Sequence, residues 1–311
     1  MRQNILATLA FYDALDMPLK REEIFRFLIK INPDDNKVVG QLEIEKTVAQ
    51  LLLEGNVRCR EGHYFLFDKE YLVPLRQKKK EISEKKMSKA KKAVRWLAFL
   101  PFVRAVFTSG SLTFGNCDEL SDLDILVVAK KGRIWTCRLL VSGMMSILGV
   151  RRKWFQKIAP DKICLNHYIT DESLAIQFEN IYNAQTYLNL KLLLAGDKNI
   201  VANFYRENEW LKKHLFFYEP TESSKEQIKV GFLARVAVVV GEWILNSKFG
   251  EWLENRARDY QTRRIEKNPL SKNPSGHIVY SNEQLAFHPD SPADEILRKY
   301  ELNLEKIKNA E

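Results

Sequence analysis

The amino-acid sequence predicts an α+β fold: a mixed sheet with helices, preceded by a small domain of helices and a hairpin and followed by helical additions. Three observations predict it. Apolar residues recur at helical spacing through much of the chain, whereas Phe102–Phe107, Ile125–Ala129 and Lys162–Ile169 are strand-length runs rich in aliphatic, β-branched and aromatic residues. Between the second and third of these runs lies a helical stretch, Arg133 to Leu148, giving strand, helix, strand in order. Finally, 311 residues of which 45% are hydrophobic suffice for one large core or two modest ones.

Composition narrows the partners. Lys and Arg number 49 against 40 Asp and Glu, a net charge of +9 that favours anionic partners such as nucleotides, nucleic acid or lipid surfaces without choosing among them. Cys59, Cys117, Cys137 and Cys164 show no paired spacing, which argues against a disulfide framework or a zinc site and fits a reducing, cytoplasmic setting. The apolar stretch after Met1 is short and is broken by Asp13 and Asp16, so neither signal peptide nor anchor is expected. Ile228–Leu245 is apolar but carries Lys229, Arg235 and Glu242, which predicts a buried helix and no membrane insertion.

In chain order, a helix is expected from Asn4 to Leu15, with Ile5, Leu9 and Tyr12 near helical spacing, and a second from Arg21 to Ile29 after the Met17-Pro18-Leu19 break. A third, Leu42–Leu53, directs Ile44, Val48, Leu51 and Leu52 inward and stops at Glu54-Gly55-Asn56, where glycine supplies the cap. Val57–Cys59 and His63–Phe67 flank Glu61-Gly62 as a hairpin. Three helices and a hairpin over residues 1–75 resemble a winged helix-turn-helix. Ten basic residues there against twelve acidic ones are the wrong balance for gripping phosphates, so packing or protein docking is expected ahead of DNA recognition.

Residues 76–98 form a basic connector helix: Arg76 to Arg95 holds ten basic residues and two acids. Its apolar stripe of Met87, Ala90, Val94 and Leu97 predicts docking on the next domain, with the charge facing solvent.

Chemistry concentrates in the next segment. Phe102–Phe107 runs into Thr108-Ser109-Gly110-Ser111, where glycine lets the backbone approach a phosphate and the following amides and hydroxyl donate at a helix start. Ten residues separate Ser111 from Asp122, and Asp122-Leu123-Asp124 leads into the strand Ile125–Ala129. Alternation puts both carboxylates on one face. Such a pair is costly unless a cation neutralises it, as magnesium does together with the oxygens of a nucleoside triphosphate.

Gly110-Ser111, the ten-residue gap and Asp122-x-Asp124 resemble the signature of the DNA polymerase β-type nucleotidyltransferase superfamily. The likeness extends over about 65 residues, to Tyr168. With the winged-helix-like module in front, the chain is also similar to bacterial nucleotidyltransferase-domain proteins. The resemblance implies a nucleotidyltransferase-fold mixed sheet in which Asp122 and Asp124 hold one or two magnesium ions and Gly110 and Ser111 bind the phosphates of a nucleoside triphosphate. It implies transfer of a nucleoside monophosphate to an acceptor hydroxyl, with pyrophosphate released; the acceptor is not readable.

The family carries a third carboxylate on a later strand. Here the strand Lys162–Ile169 offers Asn166, which can ligate a metal or hydrogen-bond a nucleotide but cannot act as a general base. Asn166 is tolerated, or Asp161 or Asp171 reaches the site, or the protein binds without catalysing. His167 should point away from Asn166 in a regular strand and is read as structural. The competing expectation is a noncatalytic nucleotide-sensing regulator whose winged helix binds DNA or a protein partner.

Residues 99–215 are assigned to the nucleotidyltransferase domain, with helices from Ile181 through Leu194 and from Asn203 to Leu215, and with Tyr182, Gln185 and Lys191 as candidates to meet a nucleotide, though a mixed helix face explains them as well. Residues 216–311 are expected to be a helical region with a loop-rich tail. Arg256, Arg258, Arg263 and Arg264 interleave there with Trp243, Trp252 and Tyr260, a pattern read as helix packing ahead of nucleic-acid stacking. A loop from Asn268 to Gly276 and an edge strand at Ile278–Tyr280 complete the prediction, with no chemistry assigned to the tail.

Overall fold

The computed structural model describes residues 1–311 except 36, 154, 157, 198, 219–226, 274–275, 290–291 and 311. It is a mixed α+β structure with a six-stranded mixed sheet, a small three-stranded sheet and eleven α-helices among the described residues.

The N-terminal part contains α1 (Arg2–Ala14), β1 (Leu19–Lys20), α2 (Arg21–Arg26), α3 (Gln41–Leu53), β2 (Arg58–Arg60) and β3 (His63–Phe65). Glu61 and Gly62 both take positive φ, the geometry a two-residue hairpin turn needs, so β2 and β3 pair closely and β1 adds to β3. The sequence anticipates α1 and α3 to within two residues. The second helix ends at Arg26, not Ile29: Leu28 and Ile29 leave the helix so that Ile29 bridges Leu215 and its amide donates to Thr8 Oγ1.

The connector is α4 (Leu72–Val94), continued by a 3₁₀ turn, Arg95–Phe99. Met87, Ala90, Val94 and Leu97 are buried, as their spacing predicts. Two of its basic residues are not solvated: Arg76 donates to the carbonyls of Phe114 and Gly115 and pairs with Glu23, and Lys86 Nζ donates to the carbonyls of Glu119 and Ser121 and pairs with Asp161.

The main sheet comprises β4 (Val103–Thr108), β5 (Leu123–Ala129), β6 (Ile163–Thr170), β7 (Leu192–Ala195), β8 (His277–Tyr280) and β9 (Gln284–His288), in the order β7-β4-β5-β6-β9-β8. β5 and β6 are parallel, which requires the crossover helix α6 (Ile134–Ile147); every other pairing is antiparallel. A single turn, α5 (Ser111–Phe114), follows β4. On one face Ala105, Phe107, Leu126, Val128 and Ile169 join a core shared with α1, α7 (Ile181–Leu188) and α8 (Ile200–Glu207). On the other, Val106, Ile125, Val127, Tyr168 and Leu285 pack with α4, α6 and α10 (Lys248–Glu266).

Three expectations change. The helix predicted through Leu194 ends at Leu188, and Leu192–Ala195 pairs with β4 as an edge strand, because a run of leucines satisfies a buried strand as well as a helix. The stretch Ile228–Leu245 is not a buried helix: α9 (Phe232–Leu245) buries Ala234 alone and exposes Phe232, Val236, Val239, Val240 and Trp243. It is held by its acid, since Glu242 accepts from Arg104 and from the Phe102 amide. No helix among the described residues is long and apolar enough to cross a membrane. The tail, finally, is structured. Of the loop expected from Asn268 to Gly276, residues 274 and 275 lie outside the described residues, but Pro269–Lys272 is a 3₁₀ turn, β8 forms where an edge strand is predicted, and β9 joins it to β6.

The last helix, α11 (Pro292–Ala310), returns to the first. Tyr300 meets Phe11 edge-on at 5.8 Å, and Asn303 Nδ2 donates to the Ala10 carbonyl and to Asp13.

Candidate functional site

Topology gathers one cleft at a single end of the main sheet. β4 runs antiparallel to β5 and β5 parallel to β6, so the end of β4 and the starts of β5 and β6 lie side by side. β9 is antiparallel to β6 and β8 to β9, which brings the end of β9 and the start of β8, His288 and His277, to the same rim. The cleft has a volume of about 730 Å³, and its floor includes Ser109, Gly110, Asp122, Asp124, Cys164 and Asn166.

Gly110 has φ +59° and ψ −148°, a conformation for which glycine is the natural occupant. A Cβ there would sit 2.4 Å from Asp124 Oδ2, so the missing side chain is what lets the carboxylate lie against the turn. The turn is fixed from both sides: the Ser109 amide donates to the Asp124 carbonyl at 2.9 Å, and Thr113 Oγ1 donates to the Gly110 carbonyl at 2.7 Å. Ser111 does not line the cleft, whereas Ser109 does; the Ser111 Oγ lies 3.4 Å from Cys117 Sγ.

The ten-residue gap before Asp122 is clamped by α4. Besides the Arg76 and Lys86 contacts, the Cys117 amide donates to Ser83 Oγ at 2.9 Å. Charged groups read as solvated in the sequence therefore hold the loop that delivers the acids.

Asp122 and Asp124 come together with a third group that spacing alone does not reveal. One ligand atom each from Asp122, Asp124 and Cys164 lies within 4.8 Å of the others. Asn166 Nδ2 donates to Asp124 Oδ1 at 3.1 Å, and Arg152 Nη1 donates to Asp122 Oδ2. Burial first, and the charge of Asp122 second, raise the Asp124 carboxyl far above the usual range.

The β5–β6 register explains how Cys164 and Asn166 both serve this corner. Asp124 pairs with Cys164, but Leu126 pairs with His167, so β6 carries one extra residue there. Strict alternation breaks at Asn166-His167. His167 lines the cleft yet is 3% exposed, with Nε2 3.2 Å from Gln284 Nε2, and burial lowers its pKa to about 3. Burial likewise lowers His288 to about 4.

The other candidates separate cleanly. Asp161 is taken by Lys86 and Lys89, and Asp171 by Arg104 and the Lys131 amide; neither lines the cleft. Gln185 is fully buried, accepting from Tyr12 OH and donating to the Phe27 carbonyl, and Lys191 lies outside the cleft; Tyr182 alone of that trio lines it. The C-terminal third supplies a wall that the sequence does not announce: Tyr260 and Arg264 from α10, His277 from β8, and Phe287 and His288 from β9. Phe178 packs on His277 with ring centroids 4.5 Å apart.

The donor set suits a hard divalent cation. Asn166 Oδ1 is buried without a hydrogen-bond partner, and with two carboxylates it offers the oxygen ligands that magnesium takes. Burial and the two acids keep the Cys164 thiol neutral, a form that ligates poorly. Comparison of the chain with models of protein families, with curated proteins and with solved structures finds no match.

Proposed function

We propose that the protein is a nucleotidyltransferase of the polymerase β type, and that β4-α5-β5-α6-β6 is the core of that fold with a winged-helix-like module before it. One observation carries the reading: Gly110 and Asp124 lie so close that a single Cβ would separate them, at the sheet end where Asp122, Cys164 and Asn166 converge. A glycine turn next to paired acids suits a triphosphate and its counter-cation.

In this reading an acceptor hydroxyl attacks the α-phosphate of a nucleoside triphosphate. The new bond joins the acceptor oxygen to phosphorus, the bond to the bridging oxygen breaks, and pyrophosphate leaves. Asp122 and Asp124 would hold magnesium, which supplies neutralisation of phosphate charge when bound. The missing Gly110 side chain lets Asp124 lie against the turn that would face the phosphates, Asn166 orients Asp124, and Arg152 adds positive charge beside Asp122. The hydroxyl proton leaves to solvent, since His167 and His288 are weak bases when buried.

The absence of a third acid among the described cleft residues favours a second reading, a nucleotide sensor without catalysis. Calorimetric titration with each ribonucleoside triphosphate, with and without magnesium, tests both. Magnesium-dependent binding that the Asp122→Ala, Asp124→Ala double variant loses is the expected result. No binding of any of them sinks both readings; where binding is found, pyrophosphate release separates enzyme from sensor.

A further inference from the structure

Paired carboxylates call for a cation, and by the same physics clustered guanidinium groups call for an anion. The wall of the cleft holds such a cluster. Arg138 from α6, Arg151 just beyond it and Arg264 from α10 all line the cleft, and none forms an ion pair with an acid among the described residues. Arg138 Nη1 donates to Gln261 Oε1 at 2.6 Å, its guanidinium stacks 4.6 Å from the Phe287 ring centre, and its Nε is enclosed with no hydrogen-bond partner. Burial lowers its pKa, and the neighbouring charges of Arg151 and Arg264 lower it further. Arg264 Nη1 donates to Tyr260 OH at 3.2 Å, and Arg151 Nη1 to Ser146 Oγ at 3.4 Å, both neutral acceptors.

A guanidinium withdrawn from water normally keeps a carboxylate beside it, because the uncompensated charge is destabilising. Among the described residues the cleft offers only Asp122 and Asp124 as lining carboxylates, and Asp122 is engaged by Arg152. Arg138 and Arg264 stand on the packed helices α6 and α10, and Arg151 bridges to Ile163 at the start of β6. Arginine forks suit the oxygens of phosphate in particular.

We propose that Arg138, Arg151 and Arg264 form a second anion site in the cleft, which takes a phosphate group carried by the acceptor. The acceptor is then a phosphorylated hydroxyl compound, a class assignment that rests on the transferase reading above. The same chemistry could also be met by the tail of the triphosphate, so the test separates the two sources.

Wild-type protein, Arg264→Gln, Arg138→Gln and the Asp122→Asn, Asp124→Asn double variant are titrated with inorganic phosphate in magnesium-free buffer, and in parallel with a magnesium nucleoside triphosphate. Arg264 is exposed, so its variant tests the site even where loss of Arg138 disturbs packing. The expected result is phosphate binding that falls at least tenfold in Arg264→Gln and persists in the aspartate variant, while triphosphate binding changes less than twofold in Arg264→Gln. Absence of phosphate binding by wild type, or equal binding by Arg264→Gln, overturns the site. A parallel loss of phosphate and triphosphate in Arg264→Gln assigns the arginines to the nucleotide and overturns the acceptor assignment. If the aspartate variant keeps triphosphate binding while the phosphate results hold, the transferase reading fails and the anion site stands without its acceptor.

Discussion

Substituting three glycines by alanine isolates what the turn at Gly110 requires. Gly143, exposed on α6, has nothing within 4 Å of an added Cβ and no positive φ, so Gly143→Ala should stabilise the protein by about 0.5–1 kcal/mol through helix propensity. Gly115 has φ +63° and ψ +36° with open space around it, so its substitution meets backbone strain alone, about 1–2 kcal/mol. Gly110 combines a glycine-favouring conformation, about 1–3 kcal/mol, with a contact of 2.4 Å to Asp124 Oδ2. Relief requires Asp124 to swing away from Asn166, which removes a hydrogen bond worth roughly 1 kcal/mol. The Gly110→Ala loss should therefore total about 2–4 kcal/mol. Urea unfolding followed by circular dichroism and linear extrapolation measures all three. The order Gly143, Gly115, Gly110 is the claim. A Gly110→Ala variant as stable as Gly115→Ala would refute it, because Asp124 would then have room that the packing denies. The same variant should lose magnesium-dependent nucleotide binding.

Further outcomes follow from other contacts. Tyr12→Phe should cost about 1–3 kcal/mol, since it strands the buried Gln185 Oε1 without a donor; double-mutant coupling with Gln185→Leu near zero in the same unfolding assay would contradict that. Lys86→Met should weaken magnesium-dependent nucleotide binding by several-fold, because the loop entering Asp122 loses its hold on α4; unchanged affinity in calorimetry would show the loop to be fixed without it. In magnesium-free buffer the Asp124 carboxyl, raised to about 7, binds its proton more tightly folded than unfolded, so its contribution falls as pH rises from about 4 toward 7. Asp124→Asn should gain stability relative to wild type across that window, and a pH-independent difference between the two would count against the burial of the acid.

Local patterns carried the sequence reading where the chemistry is local. β4, β5, α6 and β6 fall within a residue or two of their predicted ends, since each is a long apolar or periodic run bounded by polar residues. Asp122, Asp124 and Gly110 were legible from spacing. That Asp124 would rest on Gly110 was not, because the contact depends on the antiparallel pairing of Thr108 with Ile125. The pairing of His167 with Ala286 is likewise non-local, and together with the β8–β9 hairpin it brings His277, Phe287 and His288 to the cleft. Cys164 entered by pairing with Asp124 across the parallel register, and His167 through one extra residue in β6 just beyond it, which no alternation rule anticipates. Arg76 and Lys86 were hidden in plain composition: in a run of lysines and arginines, nothing marks which two turn inward.

The return of α11 to α1 has a consequence for biosynthesis. Eleven of the thirteen residues of α1 are buried, and Phe11, Ala10 and Asp13 make part of their contacts with residues 300–303. At typical elongation rates those partners leave the ribosome on the order of tens of seconds after α1 does. During that interval an apolar face stands open, and a chaperone that shields it would raise the yield of native protein. Supplying residues 292–310 in trans to a shortened nascent chain should do the same.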